Sequence, residues 1–120
     1  MENLYEKIGE KRINQLIEEF YERVFSSPQI SHLFQTDKEL IKSKQKAFLT
    51  QFLGGPQLYT ETYGHPRMRA RHLPHAITTD AAQEWLRCMK AAIETLDMPD
   101  NLKVALYNCF PPLAGHMINS

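Results

Sequence analysis

Several things are scarce in this chain, and each absence narrows its function. No apolar run approaches the ~18 residues that a membrane-spanning helix needs, so no membrane span is expected. There are only two cysteines, Cys88 and Cys109, with no CxxC or zinc-type spacing. That argues against a disulfide scaffold or a structural zinc site. Met1-Glu2-Asn3 opens without a basic stretch or an apolar run. No secretory leader is expected, and a reducing cytoplasm is the expected compartment. Neither charge is in excess: 14 Lys and Arg balance 14 Asp and Glu. A general nucleic-acid or acidic-surface binder is therefore not suggested. The motifs HExxH, GxGxxG, GxxxxGK and GxSxG are all missing, which removes the main support for metalloprotease, dinucleotide, P-loop and hydrolase readings.

What is present fits one helical domain over residues 1–120. About 42% of the 120 residues are hydrophobic and 23% charged. At this length folding buries roughly two-thirds of the chain's surface, enough for a single core. Ile13, Leu16, Ile17, Phe20, Tyr21 and Val24 recur at helical spacing and predict an amphipathic helix over 11–25, stopped by Pro28. A turn at 29–34 precedes a second helix from about Lys38 to Leu53, closed by Gly54-Gly55-Pro56. Thr78-Thr79-Asp80 starts a third helix whose stripe is Ala82, Trp85, Leu86, Met89, Ile93 and Leu96. Pro99 suits the first position of a fourth. Pro111-Pro112 predicts a kink or break near 108–110 and a last piece to about Asn119. No segment alternates as a strand would, so the fold class is all-α.

Residues 54–77 keep no helical period. They read as a long loop with at most a short helix near 67–71, and a loop of that length in a compact domain is usually functional or disordered. Charge segregates around it. Residues 41–71 hold six cations (Lys42, Lys44, Lys46, Arg67, Arg69, Arg71) against the single acid Glu61, a net of +5. Two readings fit: solvated faces that happen to segregate, or a cationic mouth for an anionic ligand between the second helix and the loop. Among the five histidines His72 stands out, since it follows the alternating arginines and precedes Leu73-Pro74. Tyr21 and Trp85 fall on apolar faces, and Gln45 lies between Ile41 and Phe48. All three carry donors that need partners if buried. They are either core-edge residues bonded to backbone or donors aimed at one buried polar ligand.

The ordered set of motifs resembles a group II truncated haemoglobin of the Bacillus-like bacterial branch, over nearly the whole chain. The resemblance rests on Phe20-Tyr21, the run Lys44 to Pro56, Tyr59-Thr60-Glu61 and Gly64-His65-Pro66. It continues through Arg69-Ala70-Arg71-His72, Trp85 to Met89 and His116 to Asn119. It implies a two-over-two helical sandwich around haem b, with His72 as the iron's proximal ligand and the opposite axial position open. It also implies Tyr21, Gln45 and Trp85 as distal donors, Ile41 at the distal entrance and Phe34 against the haem face. Lys44 and Arg71 would meet the propionates, with Tyr59, Tyr63 and His65 as weaker partners. Phe48 and Met68 are further cofactor contacts. The sequence departs from the family pattern at Pro111-Pro112 and at Gly9-Glu10, where a paired glycine is usual and where a short first helix is expected.

The function so implied is high-affinity, reversible binding of O2, and of CO, NO or peroxide. A haem enzyme, peroxidase-like or an NO dioxygenase fed by an external reductase, is the alternative. Outside haem chemistry stands a small helical interaction module, whose signature would be a colourless protein. Neither a nucleic-acid nor a membrane partner is implied, and both monomer and homodimer fit.

Overall fold

The apolar spacing of residues 13–24 produces α2, Glu10–Ser26, in a computed structural model that describes residues 3–34, 37–64, 77–116 and 118. Ile13, Leu16, Ile17, Phe20, Tyr21 and Val24 are all buried, as the spacing predicts. The helix closes two residues before Pro28, and a 3-10 turn, Ser31–Phe34, follows. Before it lies α1, the short Leu4–Ile8, and Gly9 joins the two at a φ of +86°.

Asp37 caps α3, Lys38–Phe52, by accepting from the amides of Glu39 (3.0 Å) and Leu40 (3.3 Å). Asp at this position satisfies donors that the first helical turn leaves free. The two glycines after α3 are required by a close approach. Asn3 donates to the Gly54 carbonyl at 2.8 Å while its other side-chain atom caps α1. A Cβ on Gly54, whose φ is +105°, would lie 2.7 Å from the Asn3 side chain. One on Gly55 would lie 2.8 Å from the Tyr5 ring. The turn is thus where α1 docks on the end of α3.

The expectation of an unbroken loop after this turn needs correction. Residues Leu58–Tyr63 form α4. Gln51 at the end of α3 fixes it by donating to the Thr60 hydroxyl (2.8 Å) and accepting from the Thr60 amide (2.9 Å). Its six residues are too few to show a period, but Tyr59 and Tyr63 at i and i+4 share a face. Residues 65–76, including the short helix expected near 67–71, lie outside the described residues.

Thr78 caps α5, Thr79–Glu94, accepting from the Ala81 amide. Pro99 is the cap of α6, Asp100–Tyr107, one position before the expected first helical residue. The expected break occurs at Asn108–Cys109, after which α7 runs Phe110–His116. Pro111 and Pro112 fall in its first turn, where the missing amide donors cost nothing. The double proline therefore starts a helix.

Pairing follows from the buried faces. α2 packs on α3 and α5, α5 packs on α6 and α7, and α4 lies on α3. This is a two-over-two sandwich of α2 and α3 against α5 and α7. Ile13, Leu16, Phe20, Leu49, Met89, Ile93, Leu106 and Phe110 are each at most 1% exposed and fill its centre. Among the described residues the structure is helical without strands, and no helix is long and apolar enough to cross a membrane.

Candidate functional site

The site starts from α2, which carries Phe20 and Tyr21 side by side on its buried face. Phe20 meets Tyr21 edge-on at 4.8 Å and Trp85 of α5 edge-on at 5.1 Å. It therefore fixes the two aromatic donors on either side of itself. Tyr21 also packs against Phe25 at 5.4 Å and edge-on against Phe34 at 6.0 Å. Such ring pairs contribute about 0.5–1.5 kcal/mol beyond the area they bury.

Beside this cluster opens a small apolar cleft. Ile30, Leu33 and Phe34 form one wall, Ala81, Ala82 and Trp85 the other, and Ile77 and Ala114 complete it. Ala81 and Ala82 precede Trp85 by four and three residues, so they share its helix face. Their small side chains leave open the space that larger ones would fill.

The donors at this cleft are unusual in what they do not bond. The side chains of Tyr21, Trp85 and Gln45 make no hydrogen bond with a described residue. Yet no fully enclosed side-chain nitrogen or oxygen among the described residues is without a partner. The Tyr21 hydroxyl, the Trp85 indole N–H and the Gln45 amide therefore each border open space. Tyr21 as a residue is only 3% exposed. Burial pushes its phenol well above its usual pKa, so it stays a protonated donor.

A second group of the expected site residues lies on α3. Ile41, Lys44, Gln45 and Phe48 are spaced i, i+3, i+4 and i+7 on one face. Phe48 is buried and stacks on Phe52 at 5.4 Å, and Phe52 reaches Phe110 of α7 at 6.2 Å. Phe110 in turn lies 5.8 Å from Trp85, so an aromatic lining runs from α3 through α7 to α5. Phe48 also meets buried Tyr59 at 6.0 Å, which packs on Tyr63 at 5.1 Å. The Lys44 ammonium sits 5.4 Å over the Tyr63 ring.

Phe34 and Trp85 thus share one cleft, with Tyr21 packed behind Phe34. Ile41, Lys44, Gln45 and Phe48 share the α3 face, and Tyr59 and Tyr63 lie beside it on α4. His65, Met68, Arg71 and His72 lie outside the described residues. The six cations do not all serve one mouth. Lys42 pairs with Glu18 at 3.0 Å and Glu39 at 3.8 Å, and Lys46 with Glu10 at 3.1 Å. Both are engaged mainly with α2, which leaves Lys44 as the α3 lysine turned towards α4. Sequence reasoning missed Ile30, Leu33, Ala81 and Ala114 as lining residues. The small-residue pair one turn before Trp85 was the available signal for Ala81.

Comparisons with known proteins agree with this architecture. Residues 3–119 match the family model described as bacterial-like globin. The group 2 truncated hemoglobin YjbI of Bacillus subtilis is 47% identical over 115 residues, covering 96% of this chain and 87% of that protein. The X-ray structure of a truncated oxygen-avid haemoglobin from Bacillus subtilis superposes with a TM-score of 0.93 at 46% identity, covering 98% of this chain and all of that one. The crystal structure of the group II truncated hemoglobin from Bacillus anthracis gives 0.95 at 40% identity, covering 100% and 93%. With the two-over-two sandwich and a family match from end to end, the chain belongs to the bacterial-like globins, in their group II truncated branch.

Proposed function

We propose that this single-domain chain binds haem b and uses it to hold O2 reversibly and tightly. The observation that carries the reading is that the side chains of three donors, Tyr21, Trp85 and Gln45, bond no described residue, while Trp85 forms the wall of an apolar cleft beside an aromatic cluster. A flat apolar macrocycle suits such a lining. Unpartnered donors suit a small ligand that carries partial negative charge. The membership of the chain in a globin family, and the oxygen-avid description of its Bacillus subtilis relative, support the same reading.

His72 would hold the iron, Phe34 and Phe48 would contact the macrocycle, and Lys44 and Arg71 would meet its carboxylates. Tyr59, Tyr63, His65 and Met68 would contribute secondary contacts. When bound, haem would supply an iron able to coordinate a diatomic ligand. The chain's own residues then set affinity. The Tyr21 hydroxyl and the Trp85 indole would donate to a bound ligand that carries partial negative charge, and Gln45 would add a third donor. This favours O2 over the less polar CO. In a site shielded from water each such bond contributes about 1–3 kcal/mol. Ile41 offers no donor and acts by bulk at the entrance.

Stopped-flow measurement of O2 release tests the assignment. Tyr21→Phe and Trp85→Phe are each expected to release O2 roughly five- to a hundredfold faster, as about 1–3 kcal/mol requires. Gln45→Ala is expected to have a smaller effect. Unchanged release in both aromatic variants would remove the donor assignment.

A further inference from the structure

The two walls of the cleft come from segments far apart in sequence, the corner after α2 and the first half of α5. Ser27 makes that corner. Its amide donates to the Val24 carbonyl at 3.1 Å, and its carbonyl accepts from the amides of Ile30 (3.3 Å) and Ser31 (2.9 Å). The turn so formed carries Ile30, Leu33 and Phe34 to the cleft. Ser27 is buried, and its hydroxyl donates to Glu84 Oε2 at 2.6 Å.

Glu84 directly precedes Trp85 on α5. Its carboxylate is gripped a second time, by Arg87 Nε at 2.5 Å and Arg87 Nη2 at 2.6 Å. The Glu84 side chain is only 10% exposed. Among the described residues, Ser27 to Glu84 is the one side-chain hydrogen bond that joins the two walls. The remaining contacts between the walls are apolar and non-directional, so they resist a small slide or rotation of α5 weakly. The indole N–H has no bond of its own to a described residue that would fix it.

We propose that Ser27 and Glu84 are positioning residues for Trp85: their bond fixes the rotation and register of α5 against α2, and with it the place of the indole across the cleft from Phe34. The inference rests on the ligand-site reading above. A helix turns 100° and advances 1.5 Å per residue, so a fraction of that motion moves an indole N–H out of line with its acceptor. Hydrogen bonds weaken steeply with such misalignment.

Ser27→Ala, Glu84→Ala and Glu84→Gln separate the contributions in the haem-loaded chain. Glu84→Gln keeps an oxygen that can accept from Ser27 but loses the charge that Arg87 holds. The chain has a single tryptophan, so one indole N–H resonance reports its exchange with solvent directly. The C–O stretching band of the CO-bound form reports donation to the ligand.

Ser27→Ala and Glu84→Ala are expected to speed indole exchange, to move the C–O band towards its undonated position and to raise the O2 release rate about three- to tenfold. Glu84→Gln is expected to stay within about twofold of the parent. An unchanged indole exchange rate and C–O band in Ser27→Ala would overturn the inference, even if its thermal midpoint fell. Should Glu84→Ala fail to fold, Ser27→Ala decides alone, since it deletes one oxygen and leaves the Glu84–Arg87 pair in place. If the parent takes up no haem, the ligand-site reading fails. Indole exchange in the haem-free chain then still decides the positioning inference.

Discussion

At the scale of the residue, Tyr21 shows how a helical stripe and a functional group coincide. Its ring belongs to the core by spacing, while its hydroxyl borders open space and bonds no described residue. That the ring points inward was legible from Phe20 and Val24 on either side of it. Which atom the hydroxyl serves was not, because a phenol at a core edge bonds backbone as readily as ligand. Ile41 is the complementary case, half-buried against the core on the α3 face. With no polar atom it cannot hold a ligand, so its effect is steric. Ile41→Ala is expected to raise the rate of CO association severalfold and leave dissociation within about twofold, as read by flash photolysis. A change confined to dissociation would assign it a different role.

At the scale of the element, the long helices were legible, as were the short helices α1, α6 and α7, while α4 was not. α2, α3 and α5 repeat their apolar residues over four turns or more, and each has a recognisable start or stop residue. α4 has one and a half turns and no capping side chain, so only its contact with Gln51 defines it. α7 begins with two prolines, which read in sequence as an interruption and in structure as a first turn. The Gly54-Gly55 turn was legible as a helix end. Its second duty, receiving Asn3 and Tyr5 of α1, depends on residues some 50 positions away. Gly54→Ala combines a strained positive φ with a 2.7 Å clash against Asn3. It is expected to destabilise the fold by about 1–3 kcal/mol and lower the thermal midpoint by several degrees. A midpoint within a degree of the parent would show that the α1 docking is dispensable.

At the scale of the whole molecule, charge among the described residues ties α3 to α2, while Arg67, Arg69 and Arg71 lie outside the described residues. Lys42 and Lys46 reach across to α2, and such exposed pairs contribute about 0–1 kcal/mol each. The pairing could not be read from charge counts along the chain, which showed only that residues 41–71 are basic. Glu84 is the more telling group. The Arg87 hydrogen bonds, then that from Ser27, hold its carboxyl at about 2, below the usual carboxylate range. Its contribution to stability is therefore complete above about pH 4.5 and lost as pH falls through about 2. The midpoint difference between the parent and Glu84→Gln is expected to be constant from pH 7 to 5 and to shrink towards pH 2. A difference that did not change with pH would show that the carboxylate's charge is not what matters. The account as a whole stands on haem uptake beside the aromatic cluster and on an open ligand position facing the donors. The most direct test is the visible absorption spectrum of the purified chain with added hemin, taken after dithionite and again after O2. The prediction is a Soret band that shifts on reduction to a five-coordinate ferrous form and then to a stable oxygenated form. A chain that shows no Soret band after hemin is added would contradict it.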